Sequence, residues 1–178
     1  MKKHLVFSFV TIFLILINSN VIAQQVEDYK LSTDDQVSVI VFNEPDLNLN
    51  RVRVSTNGTI SMPLIGQVNV SNLTVSEVEK KLIGLLRDGY LKKPDVSVSI
   101  VEYRPFYIGG EVQRPGSYPY RKGLTIQKAV TIAGGFTERA SESAISIENK
   151  EQNKNVPKAS FLESVKPGDV ITVGESFF

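Results

Sequence analysis

Glycine and proline punctuate this chain at short intervals, and no other feature restricts its fold as strongly. Gly58, Pro63, Gly66, Pro115, Gly116, Gly134, Gly135, Pro167 and Gly168 divide it into brief runs that suit strands and short helices. Glycine admits φ above zero and proline fixes φ, so these positions read first as backbone geometry. A phosphate-cradling role is the weaker reading, because no glycine cluster runs directly into a helix start.

The runs between the turns carry two periodicities. Residues 37–42, rich in β-branched side chains, predict a strand buried on both faces, and residues 95–100 alternate as a strand buried on one face. Residues 52–54 and 59–62 flank Asn57-Gly58 and predict a tight hairpin. Thr74 stands three residues before Glu77, a capping-box spacing, and Val75, Val78, Leu82, Leu85 and Leu86 form one stripe of a helix over residues 75–87. Asp88-Gly89 ends it.

A second half begins after Arg104-Pro105. Residues 106–108 predict a strand, Arg114-Pro115-Gly116 a turn, and Thr125 the start of a helix with Ile126, Ala129, Val130 and Ala133 inward, closed by Gly134-Gly135. Residues 144–148 read as a strand, 150–155 as a polar loop, and Lys166-Pro167-Gly168-Asp169 as a turn into a last strand over 170–173. No low-complexity linker separates the halves, so they should pack closely. The expected class is α+β.

The start of the chain has the pattern of a secretory signal peptide: Lys2-Lys3, an apolar run over residues 5–17, and a small-residue exit at Ala23. That run is 13 residues, whereas a membrane-spanning helix needs about 20. Cleavage after Ala23 would leave 18 basic against 19 acidic groups. Such neutrality argues against a nucleic-acid partner. It would also remove His4, leaving a chain without histidine, cysteine or tryptophan. Thiol nucleophiles, thiolate metal sites, disulfides and most acid–base chemistry are then out of reach.

The residues suggest no catalytic site, cofactor site or metal site. The acidic pairs Glu27-Asp28 and Asp34-Asp35 read as solvated turns, since paired glycosidase carboxylates sit about 5 to 9.5 Å apart on converging elements. Tyr103, Tyr107, Tyr118 and Tyr120, with Phe106, gather around the Arg114-Pro115-Gly116 turn. Core packing is the plainer reading; contact with a glycan or at an interface is the sharper one.

The stretch Tyr29-Lys30-Leu31 to Asp35, residues 37–42, Glu44-Pro45-Asp46-Leu47, Asn57-Gly58-Thr59-Ile60, Pro63-Leu64-Ile65-Gly66, Leu73-Thr74-Val75 and Pro94-Asp95-Val96 resembles the bacterial polysaccharide biosynthesis/export domain. Residues 108–112, Arg114-Pro115-Gly116-Ser117-Tyr118, Leu124-Thr125, Ala133-Gly134-Gly135 and Lys166-Pro167-Gly168-Asp169 are similar to the soluble-ligand-binding β-grasp (SLBB) module that usually follows it. The resemblance implies a small α/β export domain over residues 24–103 and a β-grasp domain over 104–178. It further implies a non-enzymatic subunit of a homo-oligomeric ring that lets capsular or exopolysaccharide pass and meets an inner-membrane polysaccharide co-polymerase. The place would be the periplasm or outer membrane of a Gram-negative bacterium. Gly58, Pro63, Gly66, Arg114, Pro115, Gly116, Gly134, Gly135, Pro167, Gly168 and Asp169 carry the family pattern in a mainly structural capacity. Ala23-Gln24 replaces the lipidated cysteine of well-known members, and no C-terminal amphipathic helix follows the last strand, so a separate outer-membrane partner is expected. The alternative is a monomeric periplasmic glycan-binding or envelope-adaptor module.

Overall fold

The computed structural model describes residues 29–176. The expected signal segment, the Glu27-Asp28 pair and Phe177-Phe178 lie outside the described residues. In chain order the elements are β1 (Gln36–Val41), β2 (Leu49–Arg53), β3 (Thr59–Met62), β4 (Gly66–Asn69), α1 (Val75–Arg87), β5 (Val96–Glu102), β6 (Phe106–Gly110), β7 (Gly116–Tyr118), α2 (Ile126–Ile132), β8 (Ala140–Asn149), β9 (Lys154–Val156) and β10 (Val170–Glu175). The class is α+β.

In the first half, β2-β1-β5 form an antiparallel sheet and β3-β4 a separate hairpin. The helix α1 presents Val78, Leu82 and Leu86 to a core that includes Leu31, Val37, Val39, Ile60 and Val98. Thr74 and Glu77 close the capping box at its start. Glu79 on the same helix accepts a hydrogen bond from Val98 N–H at 2.8 Å, occupying the side of β5 turned away from β1.

The second half is a five-stranded sheet in the order β7-β6-β10-β8-β9. β10 runs parallel to β6 and antiparallel to β8. Ile126, Ala129 and Val130 of α2 pack into a core with Phe106, Ile108, Ile145, Ile147 and Ile171. A mixed sheet grasping one helix is the β-grasp arrangement. Among the described residues no helix is long and apolar enough to cross a membrane.

Four expectations need correction. The Asn57-Gly58 turn does not join a hairpin: β2 pairs with β1, and β3 pairs with β4. Gly58 has φ +72°, its carbonyl accepts from Val70 and Ser71 N–H, and a methyl there would sit 2.5 Å from Ser71 Cβ. The turn is therefore pressed against the chain that follows β4, and the strands on either side of it diverge into different sheets. β1 is buried on one face only, because Ile40 and the adjoining Phe42 stand 42% and 52% exposed on the other. Part of the expected polar loop is β9, an edge strand whose polar composition hid it. Asp35, expected in a solvated turn, is fully buried.

Candidate functional site

Three residues, Tyr103-Arg104-Pro105, carry the chain from β5 into β6. Proline disfavours helical backbone in the residue before it, which suits Arg104 to a short link between the two sheets. Its N–H donates to Asp35 Oδ1 at 2.8 Å, and Nη1 donates to Tyr29 Oη at 2.9 Å and to Asp35 Oδ2 at 3.3 Å. From the second half, Glu151 Oε2 meets Nη2 at 2.8 Å. The Asp35 side chain is fully buried and that of Arg104 is 8% exposed. Ser32 N–H adds a further donor to Asp35 at 2.8 Å. A buried carboxylate is tolerated because its lone pairs are used and its charge is opposed.

The turn at Pro167-Gly168 closes on the same residue. Gly168 N–H donates to Pro105 O at 3.0 Å and Tyr107 N–H to Asp169 O at 2.8 Å. Gly168 has φ +80°, and a methyl on it would sit 2.7 Å from Arg104 Nε. Nε itself has no hydrogen-bond partner among the described residues. The Asp169 side chain, also fully buried, accepts from Asn149 Nδ2 at 2.7 Å, Lys166 N–H at 2.8 Å and Lys154 Nζ at 3.3 Å.

A ladder of tyrosines runs beside this clasp. Tyr29 and Tyr103 meet edge-on at 4.9 Å, and Tyr103 and Tyr120 at 5.4 Å. Burial, and next the Asp35 charge, hold the Tyr29 hydroxyl far above the ordinary tyrosine value. It stays protonated, donating to Asp35 while accepting from Arg104. Burial likewise raises Tyr120, with smaller contributions from Tyr103 and Asp169.

The four singled-out tyrosines do not form one platform. Tyr103 and Tyr120 belong to the ladder. Tyr118 stacks on Phe106 at 5.9 Å and donates to Arg114 O at 2.7 Å. Tyr107 is 44% exposed and lines a groove of about 480 Å3 with Arg104, Asp34, Glu148, Asn149 and Glu151. Arg114 N–H donates to Ala133 O at 2.8 Å and Nη2 to Ile132 O at 3.2 Å, which joins the Arg114-Pro115-Gly116 turn to the end of α2 and to Gly134-Gly135. Gly58, Pro63 and Gly66 stand at turns of the first half, on either side of β3. Sequence reasoning missed Arg104, Asp35, Tyr29 and Glu151 as a unit; an arginine before a proline between two strands was the one signal available.

Chemically the clasp immobilises. Asp35 accepts from Tyr29, Ser32 and Arg104, and Arg104 is held by two carboxylates. Among the described residues no three acidic, histidine or cysteine side chains gather as a metal site.

Residues 23–101 match the model of the polysaccharide biosynthesis/export protein family, and residues 105–161 match the SLBB domain. The chain carries a polysaccharide biosynthesis/export domain followed by an SLBB domain. Arg104 stands in the short interval between the export match and the SLBB match, so the clasp lies where the two family units meet. The chain is 43% identical over 90 residues to the exopolysaccharide production protein ExoF of Rhizobium meliloti (strain 1021), covering 47% of this chain and 20% of that protein. It is 26% identical over 142 residues to the EPS I polysaccharide export outer membrane protein EpsA of Ralstonia nicotianae, covering 65% of this chain and 37% of that protein. The chain thus spans well under half the length of these two relatives.

Proposed function

We propose that this chain is a non-catalytic, exported subunit of a ring-shaped conduit for capsular or exopolysaccharide, built from an export domain over residues 24–103 and a β-grasp domain over 104–178. The reading extends to an inner-membrane polysaccharide co-polymerase and a separate outer-membrane partner. The observation that carries it is the Arg104 clasp, which joins the export and SLBB units through a buried charge network in place of a flexible linker. A subunit that must hold register around a ring needs its two domains at a fixed angle. Glu79 occupies the outer side of β5, while among the described residues β2, β7 and β9 end their sheets without a further strand. Unpaired edges suit subunit contacts. The export-domain match and the names of the two relatives support the cargo as polysaccharide.

The test is deletion of the gene and complementation, with polysaccharide measured outside the cell and within the envelope. Loss of extracellular polymer with retention inside, restored by the wild-type chain, is the expected result. Unchanged secretion would defeat the proposal. A second reading, a monomeric glycan-binding adaptor, draws on the exposed Tyr107 in its polar groove; it predicts retained glycan binding by a strict monomer.

A further inference from the structure

A second groove, of about 690 Å3, runs between the loop after β7 and one side of α2. Pro119, Leu124 and Ile132 supply its apolar surface, and Arg121, Lys122 and Lys128 its charges. Among the described residues no acidic side chain lines it. Lys128 Nζ donates to Gly123 O at 2.8 Å. Among the described residues no carboxylate forms an ion pair with any of the three cations. The chain as a whole carries a net charge of only +1, so the groove is a local concentration of positive charge. Three like charges on a concave surface repel one another and focus a field that attracts an anion.

The apolar surface narrows the class of anion. Leu124 is 6% exposed and Ile132 42%, so the groove's apolar surface is one isoleucine beside an almost covered leucine and a proline, far less than the broad apolar face an interfacial helix buries in a bilayer. A sugar ring has an apolar face and a polar rim, and an acidic sugar adds a carboxylate that arginine and lysine can hold. The volume falls within the range of small-ligand sites, about 300 to 1,000 Å3. We infer that this groove is a subsite for an acidic glycan segment, with its carboxylates against Arg121, Lys122 and Lys128 and a ring face over Leu124 and Ile132. The inference rests on the polysaccharide-export reading and narrows its cargo to a carboxylate-bearing polymer.

Titration calorimetry of the exported chain with a galacturonate hexamer and a neutral maltohexaose, with amide NMR shifts to locate binding, tests it. The acidic hexamer binds in the groove, weakens as salt shortens the screening length from about 10 Å at 0.1 M to about 3 Å at 1 M, and binds at least about tenfold more weakly to R121E/K122E/K128E at unchanged melting temperature. If charge reversal unfolds the chain, R121Q/K128Q gives the same reading with a smaller loss. Equal binding of the neutral hexamer, equal binding by wild type and variant, or a hexaglutamate peptide or phosphatidylglycerol vesicle binding there as tightly as galacturonate overturns it. In cells, a deletion that abolishes secretion while the triple variant restores it fully sinks the groove and leaves the export reading standing. A deletion without effect on secretion sinks both.

Discussion

Arg104 shows how one side chain can set the relation of two domains. It donates to Asp35 and Tyr29 on one side and to Glu151 on the other. Removing one partner of a buried ion pair strands the other charge, so Arg104→Ala should cost about 3 kcal/mol or more in urea unfolding. Arg104→Lys should be only a partial remedy, since a point charge cannot serve three acceptors on two sides. Gly168→Ala meets both the left-handed φ and the 2.7 Å approach to Arg104 Nε. It should destabilise by roughly 1 to 2 kcal/mol, and by less when Arg104 is already alanine; equal penalties in both backgrounds would show that the contact is unimportant. Tyr29 binds its proton more tightly folded than unfolded. Its contribution is therefore complete below the ordinary tyrosine value near 10 and is lost as pH rises beyond it. Tyr29→Phe should flatten that alkaline limb. Beyond an arginine before a proline between two strands, none of this clasp was legible in sequence. Asp35 looks like half of a solvated acidic turn because its cationic partner is 69 residues away, and local pattern carries no information at that range.

At the scale of elements, what was legible was local. The helix α1 follows from the Thr74-to-Glu77 spacing and its apolar stripe, which lie within a few turns of one another. Thr74→Ala should cost about 1 kcal/mol. Bonds to Thr74, through its backbone first and its side chain second, hold the Glu77 carboxyl below the ordinary glutamate value. The stabilisation from Glu77 is therefore present above that ordinary value and lost as pH falls through the lowered one, so Glu77→Gln should reduce acid sensitivity in thermal melts. Strand pairing was less legible than strand existence. Asn57-Gly58 marks a turn, but the partner of β2 is β1 and that of β3 is β4, a choice made by core packing and by the seat of Gly58 against Ser71. The edge strand β9 escaped notice because an edge strand needs few apolar residues.

At the scale of the molecule, two cores that share no residue are joined through the clasp and the tyrosine ladder. The order of the two family units was readable in their motifs; the fixed joint between them was not. Two units clasped at Arg104, with sheets that end at β2, β7 and β9 among the described residues, fit the ring subunit proposed above. The central claim is most directly met by the solution mass of the chain from residue 24 onward, from light scattering alone and with the inner-membrane co-polymerase proposed as its partner. The account predicts a discrete assembly of many protomers in at least one of these conditions, broken down by Arg104→Ala. A strict monomer in both would contradict the ring and favour the glycan-binding adaptor.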